Sequence, residues 1–520
     1  MKLLTPEEIA RNIKNKIGSE GKLAWIVSVI AGVISHGLAL VSDFPNHDGL
    51  ASMYFDQNMT TSGRWFLQAA CGITSYFNLP WLIGVLSIVY LAFTNVVLVK
   101  LLKIKSKTNV VLISLLTVSF PVLASNFAYV FTMDGYMLGL LLCVAAVAFT
   151  GCGKYGFVWG AISLAFGMGC YQSYISVTML LSLYVTVIGF LSCKNAKERV
   201  FTVARYLCMG IFGIGLYYVI LKICLSAQNK VLDTYQGISD MSSTNGIGLF
   251  DTIKEVYAEF IRFGVKGHIF APNKLSVSAI IVLTLFSAIL FLRLVCQKKL
   301  YKKLFFYLGL IVVILLIPCL VNAIMFVSTD VTYHSLMKYQ WVILPVLLIA
   351  LSDYVLVSFD RHDKFNVIAS WATVVSVCIL FVSYVCSDNI AYFNLNKKFD
   401  KTYAYCLRLA DRIEQTEGYY RGIPIAMVGV VGNDNFPVTD ITGDITGSIL
   451  NVSGDYLLYT GDNYEQFFRH YLGITLNVCD EDYVEEFYYS DLYAAMPSFP
   501  DAGSTVVSDG ILYIKTENVR

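Results

Sequence analysis

"LAWIVSVIAGVISHGLALV", Leu23 to Val41, is a run of nineteen residues without an aspartate, glutamate, lysine or arginine. A helix of about 20 apolar residues is long enough to cross the hydrocarbon core of a bilayer. No small-residue cleavage site follows the run, so the segment is expected to remain as the first membrane span. His36 lies inside it, and we expect this imidazole to bond to a neighbouring helix.

Similar runs recur along the chain, in which 56% of the 520 residues are hydrophobic and only 14% are charged. An ordinary soluble domain has about 25% charged residues. The composition therefore predicts a polytopic α-helical membrane protein with about eleven transmembrane helices. The predicted spans are Leu23 to Val41, Trp81 to Leu102, Val110 to Phe131, Gly135 to Phe149, Phe157 to Tyr171, Ile175 to Leu191, Val203 to Ile223, Val277 to Val295, Leu304 to Val327, Trp341 to Val357 and Val367 to Cys386. The fourth and fifth are short, and a hairpin that does not cross fully is the alternative for this pair.

Lysine and arginine concentrate in alternate loops. Fifteen of them lie in the loops around residues 100–107, 152–156, 192–202, 293–303 and 358–366. The short segments on the other side hold two, Arg64 and Lys338. Since positive residues are retained on the cytoplasmic side, we expect a cytoplasmic amino terminus and external loops at 42–80, 224–276 and 328–340. The overall balance of 38 basic and 37 acidic residues gives no reason to expect nucleic acid as a partner.

Three regions follow from this topology. Residues 1–22 are expected to form a cytoplasmic amphipathic helix on the membrane surface, residues 23–386 the membrane part, and residues 387–520 an extracytoplasmic tail. In the tail, Phe399 to Gln415 has helical periodicity, whereas Ile423 to Val431 and the closing "GILYIKT" have the patterns of strands. The tail is thus predicted to be a small α/β domain.

The first external loop carries unusual polar residues close to the bilayer surface. Within "SDFPNHDGLASMYFDQNMTTSGRWFLQ", Ser42 to Gln68, there are three aspartates, a histidine and an arginine. Short polar side chains often cap helices or stabilise turns. This structural role is the plain alternative for Asp43 and Asp48, and the expected one for Asp56.

Four motifs carry a resemblance to a known family. They are "HDG" at His47 to Gly49, "SGRW" at Ser62 to Trp65, "YQSYIS" at Tyr171 to Ser176 and "AMPSFPDAGSTVVSDGILYIK" at Ala495 to Lys515. With the layout of the spans, they resemble the Gtr-type glucosyltransferases, polytopic bacterial enzymes of the GT-C superfamily that decorate O-antigen and related surface glycans. The resemblance implies an inverting hexosyltransferase that moves glucose from a polyprenyl-phosphate donor to a cell-surface polysaccharide or its lipid-linked precursor. The chain departs from the family in one place, since His47 stands where the family usually has the first of two adjacent acids.

Such a transfer needs a base for the acceptor hydroxyl and a cation beside the leaving phosphate. With an ordinary aspartate pKa of about 3.9, Asp48 is the predicted base, and Asp43 is the second catalytic candidate. The candidates for binding the donor phosphate are Arg64, Lys338 and His334, because cationic side chains pair with phosphate oxygens. Snorkelling of Arg64 and Lys338 to lipid headgroups is the alternative.

Further polar residues at the predicted outer boundary are candidates for binding the substrates. They are His47, Asp134, Tyr171, Gln172 and Tyr339. A turn before Gly135 is the competing role for Asp134, and the polar end of a helix is the competing role for Tyr171 and Gln172. Weaker candidates in the long external loop are Arg262, Lys266 and His268.

No metal and no other cofactor is expected. A monophosphate donor can be handled by arginine and lysine, and His47 removes the acid that would enlarge a carboxylate cluster. The expected partners are a polyprenyl-phosphate-linked sugar donor, a polysaccharide or lipid-linked oligosaccharide acceptor, and the lipid bilayer. The resemblance places the protein in the bacterial inner membrane.

Two other classes of function compete with the enzyme. A transporter or flippase for a lipid-linked glycan or a small solute would place ionisable residues deep within its spans, and the predicted spans are almost free of charge. A receptor anchored by its spans would not need an acidic stretch between the first two of them. Both comparisons favour chemistry at the membrane surface.

Overall fold

The computed structural model describes residues 5–43, 47–192, 196–233, 248–327, 333–359, 363–428, 458 and 461–516. Its α-helices in these ranges are α1 Pro6–Val41, α2 His47–Ser52, α3 Leu67–Cys71, α4 Pro80–Leu101, α5 Lys107–Ser119, α6 Val122–Phe127, α7 Met133–Thr150, α8 Gly156–Cys170, α9 Ile175–Ser192, α10 Ala196–Ala227, α11 Leu249–Ile261, α12 Lys274–Gln297, α13 Leu304–Val321, α14 Ile343–Leu356, α15 Lys364–Glu414, α16 Gly461–Phe467, α17 Glu481–Tyr488 and α18 Asp491–Ala495. The strands are β1 Pro424–Val428, β2 Asn477–Val478, β3 Thr505–Ser508 and β4 Ile511–Lys515.

Nine helical segments of the described ranges are long and apolar enough to cross a membrane, and α5 and α8 are shorter apolar helices. The chain is therefore a mostly helical, multi-pass membrane protein, as the composition predicts. The fourth predicted span is long enough to cross, since the segment Val130–Thr150 has 21 residues. The fifth corresponds to α8, which has 15 residues.

The prediction of one continuous span from Val110 to Phe131 is wrong. Helix α5 ends at Ser119, and Phe120 is extended, with φ −65° and ψ 125°. The residue before a proline is disfavoured in the helical conformation, and Pro121 follows Phe120. The chain starts again as the short helix α6.

Helix α1 combines the polar amino-terminal segment with the first span. Its start is closed by a capping box, in which the Thr5 hydroxyl accepts from the Glu8 N–H and the Glu8 carboxylate accepts from the Thr5 N–H. Gly18 breaks the helix with φ 72°, a left-handed conformation that glycine adopts at little cost. The polar segment is thus helical, as predicted, and is offset from the span by this kink.

Loops that the charge pattern assigns to one side of the membrane bond to one another. The Asp353 carboxylate accepts hydrogen bonds from the backbone N–H groups of Lys105 and Ser106. Lys298 Nζ donates to the Leu191 carbonyl at 3.0 Å. These contacts join the ends of helices that the sequence predicts to be cytoplasmic.

The segments assigned to the opposite side form a second group. Asn58 Nδ2 donates to Gln228 Oε1 at 3.1 Å, and Ser173 Oγ donates to the Met337 carbonyl. The two groups support the predicted alternation of loops. Which group faces the cytoplasm remains a prediction from the charge pattern.

The tail is built on α15, which runs for 51 residues from the membrane part into the tail. Its sheet has the order β2-β1-β4-β3, with β1 parallel to β2 and β4, and β3 antiparallel to β4. Leu409 of α15 packs in one apolar core with Ile425 and Leu512 of the sheet. The predicted helix and both predicted strands are confirmed, except that residues 429–431 lie outside the described ranges.

Candidate active site

Asp48 lies in the first turn of the short helix α2. Leu50 of the same helix is 1% exposed and packs into the core of the tail with Tyr405 and Phe467. Positions two residues apart are separated by about 200° around a helix, so burial of Leu50 turns Asp48 outward, and Asp48 is exposed. The tail therefore sets the direction in which the candidate base points. The side chain of His47 lies outside the described part of the structure.

Asp43 is held directly by the tail. Its Oδ2 atom accepts a hydrogen bond of 2.6 Å from the Tyr471 hydroxyl. Asp43 is an exposed residue, yet enough protein surrounds its carboxyl group that desolvation raises the pKa above the usual aspartate value, against the opposing effect of Tyr471. This carboxylate therefore anchors the loop to the tail.

The "SGRW" and "YQSYIS" motifs meet at Gly63. This glycine has φ 76°, and a Cβ atom here would lie 2.4 Å from Gln172 Nε2 and 2.7 Å from the Tyr217 hydroxyl. Gln172 Nε2 donates to the Ser62 carbonyl at 2.8 Å, and the Tyr217 hydroxyl donates to the Gly63 carbonyl at 2.9 Å. Only glycine fits this turn, and the two hydrogen bonds fix the chain immediately before Arg64.

Arg64 is half-buried and is held by tyrosines of two other helix ends. Its Nη1 atom donates to the Tyr136 hydroxyl at 2.9 Å. The centre of the guanidinium group lies 5.2 Å from the Tyr171 ring and 5.8 Å from the Tyr136 ring, and these rings stack with centroids 4.4 Å apart. Cation–π contacts of this kind stabilise a charge that has lost part of its water. The structure thus presents a positioned cation at the end of α7.

The same end of α7 lies beside the Asp48 helix. Helix α2 contacts the turn Val130–Thr132 that leads into α7, and Tyr136 belongs to the first turns of α7. The candidate base and the candidate phosphate ligand Arg64 are therefore arranged around one helix end. The sequence places them sixteen positions apart but does not show this shared neighbour.

Asp134 lies in sequence between the turn Val130–Thr132 and Tyr136, and it is buried and hydrogen-bonded to the protein. Its Oδ2 atom accepts from the Thr74 hydroxyl at 2.7 Å, and its Oδ1 atom accepts from the Gly135 N–H at 2.8 Å. Asp134 and Gly135 both lie in the first turn of α7, so these hydrogen bonds stabilise a helix start and not the tight turn that the sequence analysis proposed as the competing role. A contact with the substrate sugar remains a prediction and requires these hydrogen bonds to be shared.

Two tyrosine hydroxyls have no hydrogen-bond partner in the described part of the chain: that of Tyr171, whose ring contacts Arg64, and that of Tyr174, whose ring contacts Tyr171. Tyr171 is 2% exposed and Tyr174 is 1% exposed, and both hydroxyl oxygens are buried. Tyr339, in contrast, donates to the Thr117 carbonyl at 2.9 Å. Buried hydroxyl groups are usually bonded, so Tyr171 and Tyr174 are better placed than Tyr339 to receive a substrate.

Lys338 is buried beside an acid that the sequence analysis did not single out. Its Nζ atom lies 2.7 Å from Glu259 Oε1, and 4.9 Å and 4.6 Å from the centroids of the Phe263 and Tyr333 rings. Burial lowers the pKa of Lys338, and the Glu259 charge offsets part of that effect. Snorkelling to headgroups does not describe this side chain, because its ammonium group is enclosed by protein.

The remaining predicted cations are His334, Arg262, Lys266 and His268. His334 is half-buried and precedes the turn Ser335–Met337. Arg262 pairs with Glu259 and with Glu255. The described contacts do not bring Lys266 or His268 to Arg64 or Lys338.

Sequence reasoning missed the residues that position the candidates. They are Tyr136, Tyr174, Tyr217, Glu259 and Tyr333. Tyr136, Tyr217 and Glu259 are distant in sequence from the residues that they contact, and local patterns carry no signal for such pairs. Tyr174 and Tyr333 lie close in sequence to Tyr171 and Lys338, but the sequence does not show which polar neighbours come into contact. The only usable signal was the polar character of the predicted helix ends.

Asp388 is a further acid that the sequence analysis missed, two residues beyond the predicted last span. It is fully buried on α15, and neither of its carboxyl oxygens has a hydrogen-bond partner among the described residues. Tyr384 and Tyr392 flank it at a spacing of four residues and therefore share its helix face. An unpartnered polar group in the protein interior costs free energy.

Replacement of Asp388 by valine is expected to raise the melting temperature by a few degrees. An unsatisfied buried polar group costs about 1 to 3 kcal/mol, and valine removes the group at similar volume. The melting temperature of the purified protein in detergent measures the effect. Ser387→Val is the control, because the Ser387 hydroxyl already donates to the Ser383 carbonyl, and its replacement should give no rise. A lower melting temperature for Asp388→Val than for the control would show that the acid has a stabilising partner.

Two residues of the sequence analysis have structural roles, as expected. His36 is fully buried and its ring nitrogens bond to the Tyr392 hydroxyl at 2.8 Å and to the Val118 carbonyl at 2.7 Å. Asp56 accepts from Gln68 Nε2 at 2.7 Å and from the Asn58 N–H at 3.1 Å. Within the described ranges, histidine, cysteine, aspartate and glutamate do not form a group of three or more that could hold a metal ion. Metal-free chemistry remains a prediction.

A comparison with models of protein families matches residues 37–349, more than half of the chain, to the family described as glucosyl transferase GtrII. The matched region contains α2, the Gly63 turn, Arg64, Glu259 and Lys338. It ends before Asp388 and the tail. Neither the curated proteins nor the solved structures gave a match.

Proposed function

Because the chain belongs to the GtrII glucosyl transferase family, we propose that it moves a hexose, glucose by family, from a polyprenyl-phosphate donor to a surface glycan. The acceptor is a cell-surface polysaccharide or its lipid-linked precursor, and the reaction takes place on the outer face of the bacterial inner membrane. The observation that carries the proposal is the arrangement around the end of α7, where the exposed Asp48 helix and the tyrosine-bound Arg64 lie on one helix end. A base and a phosphate ligand are the two groups that this transfer needs.

The proposed reaction is a single displacement at the anomeric carbon. Asp48 takes the proton of an acceptor hydroxyl while that oxygen forms a bond to the anomeric carbon. The bond from this carbon to the phosphate oxygen breaks on the opposite side, and its electron pair leaves with polyprenyl phosphate. Arg64 offsets the charge that develops on the phosphate. Attack opposite the leaving group inverts the anomeric configuration.

The proposal assigns a role to each region of the chain. Residues 1–22 lie in the cytoplasm, residues 23–386 form a GT-C-like catalytic domain in the membrane, and residues 387–520 form an extracytoplasmic domain. The packing of Leu50 into the tail core supports a role for the tail in holding the Asp48 helix. Exposed tyrosines of the tail, including Tyr420 and Tyr489, suit stacking on acceptor sugars.

Mass spectrometry of the surface polysaccharide, with and without the protein, tests the proposed function. We expect one hexose per repeat to disappear when the gene is deleted and to return when it is restored. An unchanged repeat, together with accumulation of a lipid-linked glycan on the inner leaflet, would support the flippase alternative.

A further inference from the structure

The ion pair of Lys338 and Glu259 is buried, and the exposed side chain of Arg262 lies beside it. The Lys338 ammonium is flanked by the rings of Phe263 and Tyr333, and Glu259 is 4% exposed. Arg262 pairs with the same carboxylate, yet 59% of its side chain is exposed. An anion can therefore approach the Lys338–Glu259 pair from the side on which Arg262 is exposed.

Glu259 has a second cation with which to pair. Its Oε1 atom pairs with Lys338 Nζ, and its Oε2 atom lies 2.5 Å from Arg262 Nη1. Removing one partner of a buried ion pair normally leaves an unpaired charge, which is costly. Here the Glu259 carboxylate remains paired with Arg262 when Lys338 binds another anion, so the cost of an unpaired charge is reduced.

The backbone around Glu259 has an unusual form. Helix α11 ends at Ile261 and is followed by a π-type turn, Arg262–Lys266. A Cβ atom at Gly264 would lie 2.7 Å from the Trp341 ring, so the turn is packed closely against the residues after Lys338. Single π-type turns are frequent at functional sites.

This site adjoins the group formed by Arg64, Tyr136 and Tyr171. The backbone carbonyl of Met337, the residue before Lys338, accepts a hydrogen bond from Ser173 Oγ. Ser173 lies two positions after Tyr171. The Tyr174 ring contacts the Tyr171 ring and the Tyr339 ring, with centroid distances of 5.2 Å and 6.4 Å, and Tyr339 directly follows Lys338. A phosphate at Arg64 and a phosphate at Lys338 would therefore occupy neighbouring positions.

We propose that Glu259 is an internal counter-ion of the donor site, which occupies Lys338 in the empty enzyme and yields it to the phosphate of the polyprenyl lipid. The proposal rests on the proposed function, because it takes Lys338 as a ligand of the lipid phosphate. In the empty state Glu259 satisfies the buried ammonium, and in the bound state it remains on Arg262. By competing with the phosphate it promotes release of the product, polyprenyl phosphate.

The test is binding of farnesyl phosphate to the full-length protein in detergent, with inorganic phosphate as a second probe. Glu259→Gln is expected to bind farnesyl phosphate about tenfold more tightly than the wild type, because the competing charge is gone. Glu255→Gln is the matched control, since among the described residues Glu255 pairs with Arg262 and not with Lys338, and its side chain is 54% exposed. Its affinity should stay within about twofold of the wild type.

A double variant separates binding from stability, because Glu259→Gln leaves a buried lysine unpaired. Lys338→Met combined with Glu259→Gln removes both charges and should bind farnesyl phosphate about tenfold more weakly than the wild type. If Glu259→Gln binds no more tightly than the wild type and the double variant binds equally well, the pair is structural and the proposal is wrong. If the affinities for inorganic phosphate rank the three proteins in the same order, the site recognises the phosphate group without the lipid. Because the experiment measures binding and not sugar transfer, a failure of this proposal can be distinguished from a failure of the proposed reaction.

Discussion

An Asp48→Asn variant is expected to transfer sugar at least a hundredfold more slowly than the wild type. A positioned general base contributes about 10² to 10⁴ to a rate, and asparagine cannot accept the proton of the acceptor hydroxyl. Asparagine is close to aspartate in size, and position 48 is exposed on α2, so folding should be unaffected. The rate constant at saturating donor and acceptor, with the melting temperature of the same sample, measures the effect.

Asp56→Asn is the matched control in the same loop, and we expect it to change the rate less than about threefold. Its carboxylate is already bonded to Gln68 and Asn58, which is a structural role. If Asp48→Asn keeps its rate while Asp43→Asn loses it, the base is Asp43. Desolvation raises the pKa of the Asp43 carboxyl group. If Asp43 is the base, the rate should therefore fall with decreasing pH at a pH above the usual aspartate range.

An Arg64→Met variant is expected to lose about 10² to 10³ in rate, with a smaller change in the donor KM. Removing one group that stabilises developing charge in a transition state typically costs this much. Arg64→Lys should recover only part of the loss, since an ammonium group cannot reproduce the planar contacts of guanidinium with Tyr136 and Tyr171. Initial rates over a range of donor concentrations separate the two constants.

Tyr217→Phe is the control for Arg64→Met, because it removes the hydrogen bond to the Gly63 carbonyl and leaves the charge. We expect a loss of less than tenfold. A rate for Arg64→Met within threefold of the wild type would remove Arg64 from the donor site.

The helices were largely predictable because their signal is local. Apolar runs of about 20 residues predict membrane helices wherever they occur, and the predicted strands near Ile425 and Leu512 follow from equally local patterns. The one clear error, the span through Phe120 and Pro121, came from reading apolar character without the conformational effect of proline. The same apolar run folds as α5 and α6.

The candidate site was predictable only in part, because its geometry depends on contacts between distant residues. The sequence pointed to Gly63, Arg64 and Gln172, but the reason for the glycine is the close approach of Gln172 and Tyr217. Glu259 lies in a region that the sequence analysis treated as a loop, and its pairing with Lys338 spans 79 positions. Burial of Asp388 depends on the packing of α15, which the composition of that helix does not reveal.

The central claim is inverting transfer from a lipid-phosphate sugar, and reconstitution tests it most directly. Purified protein in lipid nanodiscs is mixed with polyprenyl-phosphate glucose and the surface glycan acceptor, and the linkage formed is analysed by nuclear magnetic resonance. The account predicts one polyprenyl phosphate released for each sugar transferred, with the anomeric configuration inverted and no transfer from a nucleotide sugar alone. Transfer from the nucleotide sugar without the lipid, or retention of configuration, would contradict it.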